Sequence, residues 1–441
     1  MASTTKETES VFSYTGVPPV SQLVPLGLQH VVAAVVGVIT PAMIVAGTCG
    51  LSEAEKTLMI QVSLILTALA TLLQLFPIFG RIGSRLPVIM GISFAYVPTL
   101  TAIGAEFGLP TILGAELVGG VVAIAFGIFV KQIRVLFPPL VTGTVIFTIG
   151  LSLYPTAVRY MAGGSSDSPW FGGVRSWTVA LITLAAVILL SNFAKGIFKL
   201  GALLFGMLFG YAAALCFGIV DLESVGSAAW FALPQLMPFE IKFVPSAIVS
   251  LAIVYIVNSV QTIGDLSSTT MGGMDRMPTD RELSGGIIGQ GVMSIAGCFF
   301  GGLPVASYSQ NVGIVTVNRV INRAVFSFAC AVLFVAGIIP KFSAVLATIP
   351  QCVVGGATVS VFAAIAMTGI RMITSDGKFT MRKSSIVGLS VALGVGITQV
   401  PGCLAGNGFP GWMTTVFGSS SVVVATLAAI LLNLVLPKDK A

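Results

Sequence analysis

"LPVASYSQNVGIVTVNR", residues 303–319, sets Ser307, Tyr308, Ser309, Gln310 and Asn311 in an unbroken polar row inside a chain otherwise composed for lipid. Of 441 residues, 56% are hydrophobic and 9% charged, with a mean hydropathy of +1.01. Soluble domains carry about 25% charged residues, so this composition reads as a polytopic membrane protein. Crossing a hydrocarbon core of about 30 Å takes roughly 20 apolar residues in a helix. Fourteen such stretches can be placed, at 22–47, 57–77, 86–103, 110–130, 136–158, 177–193, 198–219, 244–265, 284–302, 304–318, 324–340, 349–372, 384–400 and 416–436. The quoted row lies in the tenth, where lipid would leave its hydrogen-bonding groups unpaired.

Charge bias orients this set. Short cytoplasmic loops collect Lys and Arg. With both termini inside, 17 of the 22 basic residues fall on the inner side, leaving Lys56, Arg159, Arg175, Lys242 and Lys341 outside. The formal charge of +6 is therefore topology and not a nucleic-acid-binding surface. "MASTTKETES" lacks the pattern of a cleaved signal, so the first span is expected to direct its own insertion. The six cysteines are scattered among apolar segments without a Cys-x-x-Cys spacing, as small core residues are. The connections around 159–176, 220–243 and 373–383 are too short for a soluble domain.

The phrase "LPVIMGISFAYVPT" from Leu86 answers "LPVASYSQNVGIVT" from Leu303, and "FPPLVTGTVIF" from Phe137 answers "IPQCVVGGATV" from Ile349. These are the third and fifth spans of two successive sets of seven. An odd number of spans turns the second set over, which predicts an inverted repeat in the membrane plane. The expected organisation is an inner N-terminal tail (1–21), a first seven-span repeat (22–219), a connecting loop (220–243), a second, inverted repeat (244–436) and an inner C-terminal tail (437–441). Broken segments at equivalent places in two repeats point to a transporter's binding site, because irregular backbone survives at membrane depth only when buried or lining a cavity. Residues 93–96 and 308–311 are expected to face one another there as short extended stretches.

Topology leaves only Glu116 and Asp265 of the 16 acidic residues inside spans, together with the single histidine, His30. Ionisable groups at that depth mark ion or substrate paths, although a packed, neutral imidazole or acid is the plainer alternative for His30 and Glu116. Asp265 stands one helical turn after Gln261, on the same face, and is followed by Ser267, Ser268, Thr269 and Thr270 as further oxygen donors, with a helix-end hydrogen-bonding role as the alternative. Most of the 50 glycines fit close helix packing, as at Gly206 and Gly210.

"SQNVGIVTVNR" resembles the signature of the nucleobase-ascorbate transporters through Gln310, Asn311, Gly313 and Arg319, with Asn318 where that signature has Thr. The resemblance extends to "LGLQH" at 26–30, "RLPVIMGISFAYVP" at 85–98, "FPPLVTGTVIFTIGLSL" at 137–153, "GD" at 264–265 and the stretch 349–373. It implies an all-α membrane protein of fourteen segments in a seven-plus-seven inverted repeat. It also implies core and gate domains, a homodimer in the cell membrane, and cation-coupled uptake of a nucleobase. In this resemblance Gln261 occupies the place of a substrate-binding Glu, and Gln290 that of an Asp of the xanthine permeases. A Gln pairs with ring N–H and C=O groups and does not titrate.

A nucleobase needs paired donors and acceptors and an aromatic face. Gln261, Gln310 and Asn311 supply the pairs, Phe94 the stack, and the backbone near Ser93, Phe94 and Tyr308 further contacts. Gln310 resembles the purine branch, so xanthine or uric acid is expected ahead of uracil. Asp265 is the expected coupling residue, assisted by His30 or Glu116, for H+ by resemblance or for Na+ held at Asp265. No other cofactor or metal is expected. A passive facilitator and a sulfate- or bicarbonate-type carrier of the same fold are the competing readings. No enzyme motif stands in the spans.

Overall fold

Backbone N–H and C=O groups buried in an apolar interior must find partners within the protein, and helices do this over most of the chain. The structure, a computed structural model, describes residues 11–437 other than 134, 135, 165, 167, 222–224, 227, 376, 378, 401, 405, 407, 411, 412 and 419. Residues 1–10 and 438–441 of the expected tails, positions 222–224 and 227 of the connecting loop, and Arg134 and Lys378 of the charge count lie outside the described residues.

The helices are α1 (Val20–Thr48), α2 (Glu53–Leu75), α3 (Val97–Phe107), α4 (Leu109–Ile128), α5 (Val130–Ile133), α6 (Pro139–Met161), α7 (Val174–Phe193), α8 (Gly196–Leu200) and α9 (Ala202–Cys216). They continue as α10 (Pro245–Met274), α11 (Asp280–Cys298), α12 (Ser309–Asn318), α13 (Arg323–Gly337), α14 (Pro340–Ala347), α15 (Gln351–Ile373), α16 (Met381–Gln399) and α17 (Ser421–Val435), the last preceded by a π-helical turn at Thr414–Gly418. Seven of them, α1, α2, α4, α6, α7, α10 and α15, are long and apolar enough to cross a membrane, and α13 with α14 meets the same measure only as a pair bent by 80°, the shape of a broken span or a re-entrant loop. Sequence signals set several ends. Ser52 with Glu55, and Thr279 with Glu282, form capping boxes that start α2 and α11.

Two segments read as spans, 86–103 and 304–318, are not single helices. Each opens with a three-residue strand, β1 (Met90–Ile92) and β2 (Val305–Ser307), and only then turns into the half-length helices α3 and α12. The strands pair antiparallel, Met90 with Ser307, Gly91 with Ala306 and Ile92 with Val305. A two-stranded ribbon has two bare edges, and hydroxyls cover groups on both. Thr71 Oγ1 accepts from the Met90 amide at 2.9 Å, and Ser294 Oγ from the Val305 amide at 3.1 Å. The extended residues therefore precede the expected stretches 93–96 and 308–311, which form the turn into α3 and the start of α12.

Helix packing divides into two groups. The first holds α1–α4 and α10–α14 around the ribbon; in the second, α6, α7, α9, α15, α16 and α17 pack on one another. In the second group α6 and α15 approach backbone to backbone, since a Cβ on Gly143 would stand 2.8 Å from the Gly369 carbonyl oxygen. Phe94 meets Phe362 edge-on at 5.4 Å across the groups, and the Thr99 and Ser420 hydroxyls are 2.9 Å apart.

Candidate functional site

The ribbon ends where α10 passes it, and that crossing brings most of the expected residues together. Asn258, Gln261, Thr262 and Asp265 recur at helical spacing on α10, so they share the face turned to β2 and α12. Asp265 is buried and accepts from two serines that its own helix does not carry. Ser307 Oγ donates to Oδ2 at 2.6 Å, and Ser309 Oγ donates to Oδ1 at 2.8 Å. Having given its proton away, the Ser309 oxygen accepts from Gln261 Nε2 at 3.3 Å. A carboxylate, one hydroxyl and one amide thus form a continuous line.

A second line runs deeper. Thr262 Oγ1 donates to Gln290 Oε1 at 2.7 Å, while Gln290 Nε2 lies 3.3 Å from the Tyr96 hydroxyl and 3.5 Å from Asn258 Oδ1. Asn258 Nδ2 reaches Ser93 Oγ at 3.5 Å. Gln290 therefore joins α10, α11 and the turn before α3, and its amide is saturated inside the protein.

The remaining expected residues divide clearly. Gln310 is exposed at the first turn of α12 with no hydrogen-bond partner among the described residues, and Gln261 is half-buried beside Ser309. Asn311 is fully buried, its Nδ2 donating to the His30 carbonyl at 3.3 Å, so it ties α12 to α1. Asn318 does the same at the far end through Gln29 Oε1, at 3.2 Å. The His30 ring packs on Phe326 with centroids 4.4 Å apart. The Tyr308 ring fills the space a side chain at Gly37 would need, and its amide donates to the Ile89 carbonyl at 2.9 Å, so neither is available to a ligand.

Gly313 is exposed on α12, and Arg319 ends that helix in a left-handed conformation, paired with Asp275 at 3.0 Å. Glu116 lies on α4, buried, with neither carboxyl oxygen hydrogen-bonded, and no hydrogen bond joins it to the Asp265 line. Three hydroxyls expected around Asp265 are occupied elsewhere. Ser267, Thr269 and Thr270 donate to carbonyls of Ile263, Asp265 and Leu266, the usual helix back-bond of Ser and Thr. Ser307 and Ser309 take their place; Tyr96 belongs to the expected stretch 93–96, whereas Asn258 and Thr262 were not expected from sequence. The spacing 258, 262, 265 on one helical face was the available signal for these two.

Comparison with known proteins identifies the family and the fold. The family model Xan_ur_permease, described as a permease family, matches residues 21–403. The uric acid permease PucK of Bacillus subtilis (strain 168) is 35% identical over 417 residues, covering 93% of this chain and 95% of its own. The xanthine permease of the same organism is 32% identical over 420 residues, covering 93% and 92%. Among solved structures, the transmembrane domain of the cyanobacterial bicarbonate transporter BicA superposes with a TM-score of 0.62 at 18% identity, over 93% of this chain and 98% of that one. At that identity the likeness is one of fold.

Proposed function

Because this chain belongs to the Xan_ur_permease family, multi-pass membrane transporters and not enzymes, we propose that it takes up an oxidised purine, xanthine or uric acid, by cation-coupled alternating access, with H+ as the cation. The observation that carries the proposal is the line Asp265–Ser309–Gln261. While Asp265 is an anion, Ser309 must donate to it and so presents only an oxygen to Gln261, which turns the Gln261 amide nitrogen inward and leaves Oε1 for a purine N–H. A proton on Asp265 removes that demand, frees the Ser309 hydroxyl to rotate, and releases the orientation of Gln261. Substrate affinity and protonation are then linked through one hydroxyl, as reciprocity of coupled binding requires.

In this reading Gln261 and the exposed Gln310 pair with the ring edge, Phe94 at the boundary between the helix groups supplies the aromatic face, and Ser93 stands beside it. Asn311, Tyr308 and Gln290 hold the site's walls, and His30 and Glu116 serve the coupling path. The fold reading that goes with it is fourteen passages in two inverted sets of seven, with both termini inside and the chain working as a homodimer. The first helix group acts as core and the second as gate. The antiparallel ribbon made of one strand from each half, and the pairing of α6 with α15, support the repeat.

Thermal stabilisation of the purified protein by xanthine, urate, guanine, hypoxanthine, adenine, uracil, ascorbate and sulfate, each with and without Na+, tests the proposal. Xanthine or urate is expected to raise Tm with no dependence on Na+. A shift from sulfate alone, or from no base, removes the purine reading; a purine shift that requires Na+ replaces the proton.

A further inference from the structure

Five arginines from three stretches of chain converge on one opening that none of the proposed purine-binding residues lines. It is a cavity of about 1430 Å³ on the face that the charge bias places inside the cell, bounded by the end of α2, the α10–α11 corner, the α12–α13 corner and residues 12–15. Arg85, Arg276, Arg281, Arg319 and Arg323 line it, against the carboxylates of Asp275 and Glu282. Arg276 is paired with Glu282 at 2.5 Å and Arg319 with Asp275 at 3.0 Å. Arg281 gives Nε to the Gly80 carbonyl at 2.9 Å. Among the described residues no carboxylate lies within ion-pair distance of Arg85, Arg281 or Arg323, so three guanidinium charges remain in excess.

These three are held in place. Arg85 sits in the left-handed region at φ 61, its amide donating to the Gln74 carbonyl at 2.8 Å, and Gln74 in turn donates to the Gly286 carbonyl at 3.0 Å. A non-glycine residue there is strained and persists only when its surroundings over-determine it. The Arg323 amide donates to the Tyr14 carbonyl at 3.1 Å, and its guanidinium lies over the Phe76 ring at 5.4 Å. Tyr14 closes the ring by donating its hydroxyl to the Leu75 carbonyl at 3.0 Å. Burial raises the Tyr14 phenol against the lowering pull of Arg323 and Arg85, which puts both cations close to one point.

The positive-inside bias asks only that basic residues lie in inner loops. It does not ask that three unneutralised arginines face one concavity, where low-dielectric walls concentrate their field. The planar guanidinium fork matches the oxygens of a phosphate group two at a time. We infer that Arg85, Arg281 and Arg323 form a phosphate-binding site, separate from the purine site, that takes either a free phosphate anion or the headgroup of an anionic phospholipid. A smaller hollow of about 330 Å³ adjoins it past Phe76 and Arg323, lined also by Val17, Ala324 and Ser327, whose buried hydroxyl has no partner. That hollow gives room for the ester side of a phosphate.

The test uses the full-length protein in neutral detergent. Tm is followed in sodium phosphate against sodium chloride of equal ionic strength, and then after reconstitution into phosphatidylcholine vesicles with and without phosphatidylglycerol. A saturable rise with phosphate identifies a free anion as ligand, and a rise with phosphatidylglycerol alone identifies the headgroup. In either case Arg85→Gln with Arg323→Gln is expected to abolish the shift, each single change to weaken apparent affinity at least tenfold, and the paired Lys variants to retain part of it. A cooperative unfolding transition without ligand certifies each variant as folded, independently of purine binding. If the double Gln variant lacks one, the single changes decide. No shift in the wild type with either probe, or an undiminished shift in the folded Gln variants, overturns the site.

Discussion

Ser309 has one hydroxyl hydrogen, and giving it to Asp265 fixes what its oxygen does for Gln261. Replacing Asp265 by Asn keeps an acceptor for one serine and offers the other an N–H donor that its oxygen can accept, so the packing survives while the titratable charge does not. Asp265→Asn is therefore expected to bind purine within about tenfold of wild type, a change of up to about 1.4 kcal/mol, and to lose accumulation against a gradient. Proteoliposome uptake under an imposed pH gradient reads this directly, and unchanged accumulation would remove Asp265 from coupling. At this scale the sequence carries only part of the site, for a physical reason. Gln261 and Asp265 were legible because one helix turn relates them, and Ser307 and Ser309 were visible as an out-of-place polar row. That the row turns toward Asp265 depends on a contact across 42 and 44 residues, and neither periodicity nor composition carries that information. The same limit hid the burial of Asn311 and Tyr308 against α1.

Continuous apolar runs give helices directly, and α1, α2, α6 and α15 lie close to their expected places. The broken elements were harder, because a three-residue strand has no period to detect and is fixed by its partner and by the Thr71 and Ser294 hydroxyls. The helix α14 falls in a stretch read as a connection, since eight residues after Ile339 are too few to register as a span. Capping boxes were also local enough to matter. At the α10–α11 corner, outside the spans, burial alone would raise the Glu282 carboxyl, but the Arg276 guanidinium and the Thr279 amide and hydroxyl hold it below the usual glutamate range. A group whose folded pKa is depressed stabilises the fold above its unfolded value of about 4.3 and loses that contribution as pH falls through the folded one. Glu282→Gln should thus lower Tm at neutral pH, with the gap to wild type closing as pH drops below about 4. A gap independent of pH would mean that the carboxylate charge contributes nothing at this corner.

At the scale of the molecule, the two helix groups touch through few specific side-chain contacts, and one of them joins the hydroxyls of Thr99 on α3 and Ser420 ahead of α17. Both residues are buried. The proposed alternating access moves the first group against the second, so a covalent bridge at this point should stop the cycle without touching the amides proposed to bind the purine. Hydroxyls 2.9 Å apart make this pair the candidate for an engineered disulfide, whose Cβ atoms stand about 3.5–4.5 Å apart. Thr99→Cys with Ser420→Cys is expected to form that bridge on oxidation, to drop uptake below about a tenth of its reduced rate, and to recover on reduction, while each single variant stays insensitive to the oxidant. The native Cys298, Cys330 and Cys352 are buried, so the single variants report any background from the remaining thiols. The oxidised double variant should still be stabilised by xanthine or urate, because Gln261 and Gln310 lie on the first group alone and their geometry does not depend on its movement. Transport at the full rate with the bridge verified by mass spectrometry would exclude relative motion of the groups at this contact, and with it the assignment of core and gate.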